Sequence, residues 1–296
     1  MSASDLYFGT PGALEVFPHP RGGVQSTRTR PSNTFLTAPG GAHVAQTLEG
    51  KRQFQLDWEQ LWYETYAAIE AYHHGHMGPG PFVLHDPGRT NWLTTNQSGA
   101  TSQRDTSNFT VSGSGSSLDS SSSVVLRGPR SLAWNFTYAS SGLLVLDPAT
   151  ATWPGIPVIA DQAICFSFQA EGAGSDATMS LTPQLVWLDA TGATLSTTSG
   201  TPIVTSSSAW TQGSVTASPP ASAAYVLCKV AATDASGGSI LYLDEFQLER
   251  GSAPTDWRPG TGVFPVTIMS FGELWPWQAS DYRRGAAMVL QEVGSP

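Results

Sequence analysis

Two adjacent carboxylates, Asp244 and Glu245, lie in the apolar run Ile240–Leu248 and are the side chains best placed for acid–base chemistry. A glycosidase needs two carboxyl groups that flank one bond, whereas neighbouring residues of a strand project to opposite faces. The pair therefore does not predict glycoside hydrolysis. The sequence also contains no G-x-S-x-G, phosphate-loop or H-E-x-x-H motif, so we expect no enzymatic activity.

Histidine and cysteine are the remaining residue types that could bind a metal or react. His73, His74 and His76 fall at the end of an expected helix, where adjacent side chains point in different directions and no carboxylate follows at a ligand spacing. A solvated helix end is therefore favoured over a metal site. Cys165 and Cys228 each lie in an apolar run, which favours two buried thiols, with a disulfide as the alternative.

Aromatic side chains could bind sugars, because flat rings stack on the less polar faces of pyranoses. Trp153 lies in a Pro/Gly-rich loop, and Trp134 and Tyr138 share one face of an expected strand. These three residues are the candidate glycan-binding residues, and a place in the core is the alternative for each. Three further tryptophans are expected to fill the core or close the fold: Trp187, Trp210 and Trp257.

The composition excludes several classes of function. Charged residues make up 12% of the 296 residues and the formal net charge is −9, which disfavours nucleic-acid binding because phosphates require clustered Lys and Arg. No stretch approaches the roughly 20 apolar residues needed to cross a bilayer, and the N-terminus lacks the features of a signal peptide. We expect a protein that folds in a cytoplasm without membrane insertion. The abundance of Ser, Thr, Gly and Pro favours a mainly β chain of two domains.

The first part of the sequence mixes strand and helix patterns. Val44–Leu48 and Phe54–Leu56 flank a turn at Gly50–Lys51, which predicts a β-hairpin. A helix is then predicted from an Asp57 cap, with Gln60 completing a capping box. The predicted core face of this helix is Trp58, Leu61, Trp62, Thr65, Ile69 and Tyr72.

The predicted helix ends at Gly75, and Phe82–Pro87 predicts a short strand. Residues 94–123 are rich in Ser, Thr and Gly and predict long loops or an exposed edge strand. After them, short alternating runs separated by turn residues predict an antiparallel β-sandwich. The runs are Val124–Leu126, Leu132–Tyr138, Leu143–Leu146, Ala163–Phe168, Met179–Leu188, Trp210–Thr216, Ala223–Val230 and Ile240–Leu248.

The C-terminal residues predict two more strands, Val263–Phe271 and Ala286–Val293, joined through a loop at Trp275–Trp277 and a turn at Arg283–Gly285. Two strands alone are too few for a domain, so they should join the incomplete N-terminal sheet. The sequence thus predicts a discontinuous domain of residues 1–87 and 262–296, with a sandwich of residues 88–261 inserted into it.

Two stretches resemble known families. Phe54–Trp58, the helix that follows and Gly80–Pro87 resemble the N-terminal part of tail-tube-like, distal tail or minor tail proteins of long-tailed bacteriophages. In that family a helix lies across a small sheet or barrel, and a strand of the pattern pFxLxDP follows it. A second set of runs is similar to the jelly-roll carbohydrate-binding modules of glycanases and phage tail proteins: Gln184–Gly192, Ser208–Trp210, Pro219–Tyr225, Leu241–Gly251 and Pro254–Gly260.

The resemblances imply a mainly β chain in which a split tail-tube-like sheet or barrel domain with one helix carries an inserted jelly-roll β-sandwich. Asp244 corresponds to a position where related modules place a carboxylate on a structural calcium ion. A hydrogen-bonded or solvated Asp244 is the favoured alternative to calcium binding. No other cofactor is expected.

The function that the resemblances imply is structural. The chain would be a distal tail or minor tail protein that forms a ring, expected to be a hexamer, at the end of the tail tube in the virion tail. Its partners would be copies of itself, the tail tube and tail-tip proteins, and its sandwich is a candidate to contact host cell-wall polysaccharide. A dedicated glycan-binding receptor-recognition protein is the first alternative, and a glycanase is the second.

Overall fold

The chain is mainly β. The computed structural model describes residues 6–28, 32–36, 43–47, 51–86, 88, 90–100, 105–148, 152–175, 177–274 and 283–293, with the backbone alone at 28, 32–36, 43–47 and 234. Within these ranges no helix is long and apolar enough to cross a bilayer. The chain divides into two compact units: a split unit of residues 1–10, 15–86 and 264–295, and a sandwich unit of residues 11–14, 87–263 and 296.

The secondary-structure elements follow one another in a fixed order along the chain. They are β1 (Leu6–Thr10), β2 (Ala13–Phe17), β3 (Gln25–Arg28), β4 (Ser32–Leu36), β5 (His43–Thr47), β6 (Arg52–Trp62), α1 (Tyr63–His73), β7 (Val83–His85), α2 (Thr95–Ser98), β8 (Phe109–Ser112), β9 (Ser116–Ser121), β10 (Ser131–Phe136), β11 (Ser140–Leu146), β12 (Ile156–Pro157), β13 (Ile164–Gly174), β14 (Ser180–Leu188), β15 (Thr194–Ser199), β16 (Ile203–Val204), β17 (Thr211–Ala217), β18 (Tyr225–Ala235), β19 (Ser239–Arg250), β20 (Val266–Leu274) and β21 (Arg283–Glu292).

The split unit contains sheets of the order β2-β1-β7, β20-β21-β6-β3 and β4-β5. Strand β6 alternates buried and exposed residues, as a strand with one face on a core does. It pairs with β3 on one side and with β21 on the other, where Leu56 lies opposite Met288. Near the end of that pairing a buried ion pair joins Arg52 to Glu292, and Glu292 Oε2 accepts a hydrogen bond from the Arg52 N–H at 3.0 Å. The strands after the sandwich therefore complete the sheet that begins before it.

The helix prediction is wrong at its N-terminal end. Trp58 and Leu61 are buried core residues, but they lie on β6 rather than on a helix. The helix begins at Tyr63, and its N-cap is Trp62, which makes no side-chain capping bond. Pairing with two neighbouring strands satisfies the backbone of β6, and this tertiary interaction overrides the local helical pattern and the Asp57 cap.

The second half of that prediction is confirmed. Ile69 and Tyr72 are buried on α1, and Gly75, with a φ of 76°, follows its last turn in the left-handed conformation that glycine favours. Trp62, in contrast, is 60% exposed and is not a core residue, because it lies where the strand turns into the helix. Strand β7 confirms the predicted strand over Val83–His85.

The predicted N-terminal hairpin is also wrong. Strand β5 pairs with β4, with Val44 opposite Phe35, whereas β6 pairs with β3 and β21. The predicted turn at Arg283–Gly285 is instead the beginning of β21. Leu48 to Gly50 and the predicted loop at Trp275–Trp277 lie outside the described residues.

The sandwich unit confirms the predicted antiparallel β-sandwich. Its five-stranded sheet has the order β17-β13-β19-β10-β9, and its second sheet has the order β15-β14-β18-β11-β8, with β12 paired to β18 and β16 to β14. The inner faces supply fully buried rings, among them those of Phe166, Phe168 and Phe246, whose centroids lie 5.8–6.3 Å apart. Burial of these apolar faces holds the two sheets together.

The polar segment before the sandwich strands forms edges, as predicted. Strands β8 and β9 each lie at the edge of a sheet. The short helix α2 is an addition, and it begins with a capping box in which Thr94 and Gln97 exchange hydrogen bonds. Val124–Leu126 is not a strand, and β12, β15 and β16 were not predicted.

Asn91 joins the first residues of the sandwich unit to its last residues and to β19. It is fully buried, and its Nδ2 donates to the carbonyls of Phe246 (3.1 Å) and Arg258 (2.8 Å). Its Oδ1 accepts from the N–H groups of Leu93 (3.1 Å) and Leu248 (3.2 Å). One amide thereby satisfies four backbone groups that would otherwise be buried without these partners.

We predict that Asn91→Ala lowers the free energy of unfolding by about 3–5 kcal/mol, because each buried polar group that loses its partner costs on the order of 1–3 kcal/mol. Urea denaturation of the full chain measures the loss. Asn96→Ala is the matched control, since Asn96 Nδ2 also donates two hydrogen bonds, to Asp105 O and Asn108 Oδ1, but is partly exposed. Equal losses for the two variants would contradict the role assigned to Asn91.

Candidate functional site

The outer face of the five-stranded sheet is polar. Along β13 the side chains of Phe166 and Phe168 enter the core, while Ser167 and Gln169 point the other way. Gln169 lies opposite Gln212 of β17 and opposite Asp244 of β19. Hydrogen-bonding side chains from three neighbouring strands therefore share one surface.

A β-bulge in β19 changes the direction in which the Glu245 side chain points at this surface. The register between β13 and β19 shifts between Ser167 and Gln169, so that Glu245 and Phe246 together face Phe168. Glu245 has a φ of 52°, a left-handed conformation that residues other than glycine rarely adopt. Such strained positions cluster at functional sites, and the bulge brings the Glu245 carboxylate into a cleft.

The cleft has a volume of about 360 Å³ and lies entirely within the sandwich unit. Glu245 forms an ion pair with Arg127, and the Arg127 guanidinium carbon lies 5.1 Å from the centre of the Trp257 ring. Trp257 is itself held by a hydrogen bond from Nε1 to Ser98 O at 3.1 Å. The residues that line the cleft are Arg127, Ser167, Gln169, Gln212, Glu245, Thr255, Asp256 and Trp257.

Hydrogen bonds to β19 hold the wall of the cleft formed by residues 255–257. Glu249 accepts from both the N–H and the hydroxyl of Thr255, at 2.8 and 2.6 Å. Gln247 donates to Glu249 at 2.7 Å and accepts from the Arg258 N–H at 2.8 Å. Because Gln247 and Glu249 are buried, these bonds are shielded from water and fix the wall in place.

Asp244 supports the loop that carries Arg127. Its Oδ2 accepts from the N–H groups of Leu126 (3.2 Å) and Arg127 (2.9 Å), and its Oδ1 accepts from the Glu245 N–H at 2.7 Å. Burial raises the pKa of this carboxyl to about 6, although the three backbone hydrogen bonds act in the opposite direction.

These surroundings do not fit a calcium ion at Asp244. A cation needs several oxygen ligands, whereas both oxygens of Asp244 already face backbone N–H donors. Among the described residues no group of three or more His, Cys, Asp and Glu side chains is placed to hold a metal. The hydrogen-bonded alternative therefore fits Asp244 better than calcium binding.

The predicted glycan-binding aromatic residues are not brought together. Trp134 is fully buried and Trp153 is 6% exposed, so both belong to the core and neither can stack on a sugar in this conformation. Tyr138 is 65% exposed but lies beyond the end of β10 and does not line the cleft. Trp187 is buried, as expected, whereas Trp257 contributes to the cleft.

Cys165 and Cys228 are free buried thiols, which was the favoured interpretation of the sequence. Gln169, Gln212 and Arg127 were not among the site residues predicted from the sequence. The alternation of apolar and polar residues in Ile164–Gly174 could have indicated that Ser167 and Gln169 share the outer face.

No protein-family model matches the chain, and no curated protein matches its sequence. The solved structures similar to it include a CBM22-1 xylan-binding domain from Paenibacillus barcinonensis (19% identity, TM-score 0.39, covering 53% of this chain and 94% of that one). A family 22 carbohydrate-binding module of Clostridium thermocellum has 16% identity and a TM-score of 0.41, covering 56% of this chain and 99% of that one. Tailspike protein 4 of bacteriophage CBA120 has 14% identity and a TM-score of 0.39, covering 55% of this chain and 22% of that one.

We predict that Asp244 makes the protein more stable as the pH falls from 6 towards 4. Because the folded-state pKa of about 6 lies above the ordinary pKa of 3.8 for an aspartate carboxyl, the folded state binds the proton more tightly in this window. The contribution of Asp244 to the free energy of unfolding should rise by about 1.4 kcal/mol per pH unit. Urea denaturation between pH 7 and pH 4 measures it, with Asp244→Asn as the reference that cannot titrate. Identical pH profiles for the two proteins would show that Asp244 is not the titrating group.

Proposed function

We propose that the chain is a glycan-binding structural component of a phage tail, in which the cleft on the five-stranded sheet contacts polysaccharide. The observation that carries the proposal is the convergence of Ser167, Gln169 and Gln212 beside Trp257 in one cleft. Amide and hydroxyl groups can both donate to and accept from sugar hydroxyls, and a partly exposed indole offers an apolar ring. This combination of planar polar side chains and one aromatic ring suits a sugar chain.

The charges of the cleft favour a neutral or weakly charged glycan. Arg127 is compensated by Glu245, and Asp256 adds a second carboxylate to the lining. An acidic sugar would meet this excess of carboxylate, whereas hydroxyl groups would meet Gln169 and Gln212 without repulsion.

The tail role rests on the resemblance of Phe54–Trp58 and Gly80–Pro87 to distal tail and minor tail proteins. The split unit, in which β21 pairs with β6, would supply the contacts with copies of the chain, with the tail tube and with other tail-tip proteins. The assembled form would be a ring in the virion tail, and several clefts in one ring would raise the avidity of individually weak sugar contacts.

We predict that Gln169→Ala and Gln212→Ala each weaken glycan binding about 3- to 10-fold without changing the melting temperature. Each substitution removes hydrogen bonds worth roughly 0.5–1.5 kcal/mol from the cleft. The measurement is binding of the full chain to an array of cell-wall and neutral polysaccharide fragments, followed by titration calorimetry on the best ligand.

Gln184→Ala is the matched control, because Gln184 lies on β14 in the other sheet and does not line the cleft. It should bind as the unaltered protein does. Binding that survives the double variant Gln169→Ala/Gln212→Ala at full strength would place the glycan elsewhere, and an array without any binding would overturn the glycan-binding part of the proposal.

A further inference from the structure

Two exposed aromatic side chains and two partly buried arginine side chains form a cluster in the split unit, where β6 turns into α1 beside β21. Trp62 is 60% exposed and Tyr63 is 53% exposed, so both present most of a large ring to solvent. Arg283 lies opposite Trp62 in the pairing of β21 with β6, and Arg284 follows it. We call Trp62, Tyr63, Arg283 and Arg284 the aromatic–arginine cluster.

The cluster is held in a defined arrangement. The guanidinium carbon of Arg283 lies 4.6 Å from the centre of the Trp62 ring, and Arg283 Nη1 donates to Gln60 Oε1 at 2.9 Å. The guanidinium carbon of Arg284 lies 5.8 Å from the centre of the Tyr63 ring. Arg284 Nη1 lies 3.6 Å from Glu273 Oε1. Side chains ordered in advance lose less entropy on association, and Trp, Tyr and Arg are the residues that most often dominate the energy of protein interfaces.

The positive charge of the cluster is only partly compensated. Arg284 has Glu273 as its ion-pair partner. Across the ranges that the structure describes, Arg283 has no carboxylate within ion-pair distance, and its buried Nε has no hydrogen-bond partner. The cluster therefore fits a partner that supplies a carboxylate next to an apolar or aromatic group.

We infer that the aromatic–arginine cluster binds an acidic surface on a second copy of this chain. The chain has 23 acidic and 14 basic residues, so a neighbouring copy offers a mostly acidic surface. Two such clusters cannot face each other across a two-fold axis, because Arg283 would then meet another Arg283. The contact is therefore between different surfaces of the two copies, and repeated head-to-tail contacts of this kind close into a ring when the rotation from one copy to the next closes. The inference deepens the ring assembly proposed above and rests on it.

The test is native mass spectrometry and light scattering of the full chain, with Trp62→Ala and Arg283→Glu as variants. The unaltered protein should form a closed oligomer of more than two copies of its 31.3 kDa chain. Each variant should raise the concentration for half-assembly about tenfold or more, and added salt should weaken assembly of the unaltered protein. Unchanged melting curves exclude a loss of folding as the cause.

Matched controls separate this surface from general effects of charge and size. Arg21→Glu makes the same change of charge in the split unit, at an exposed arginine paired with Glu59, and Tyr138→Ala removes an exposed ring from the sandwich unit. Both control variants should assemble normally. If the protein assembles but Trp62→Ala and Arg283→Glu leave assembly unchanged, the cluster is not the interface and ring formation stands. A protein that stays monomeric at high concentration overturns both ideas, and a protein that assembles no further than a dimer overturns the ring.

Discussion

The geometry of the cleft depends on the four hydrogen bonds of one buried side chain, Asn91. Its amide ties the first residues of the sandwich unit to β19 through Leu248, and to the last residues of the unit through Arg258. The wall of the cleft, including Trp257, comes immediately before Arg258. Gln247 and Glu249, the Trp257 indole and the Gly260 N–H also anchor this wall, but the loss of Asn91 would leave the position of the indole beside the sheet less well defined.

The cleft also depends on a local departure from regular strand geometry. In an unbroken strand, Asp244 and Glu245 would point to opposite faces. At the bulge, Asp244 instead accepts a hydrogen bond from the backbone of the loop that carries Arg127. Glu245 reaches the cleft and forms an ion pair with the same arginine. Both carboxylates therefore have structural partners, which agrees with a binding surface better than with an acid–nucleophile pair.

The sequence predicts the sandwich well, because alternating runs such as Ile164–Gly174 record burial on one face of each strand. It predicts the beginning of α1 poorly, since the extension of β6 to Trp62 depends on pairing with β21, which is distant in sequence. Trp134 and Trp153 are buried, which was the alternative that the sequence left open for both. The cleft could not be predicted, as it combines five separate segments with a bulge that leaves no local pattern.

Hydrogen–deuterium exchange of the full chain, with and without a polysaccharide fragment selected on the array, tests the central claim most directly. Bound glycan should slow exchange in β13 around Gln169, in β17 around Gln212 and in residues 255–257, and leave the edge strand β15 unchanged. Protection confined to the segment around Tyr138, or to the split unit, would contradict the assignment of the cleft as the glycan-binding site.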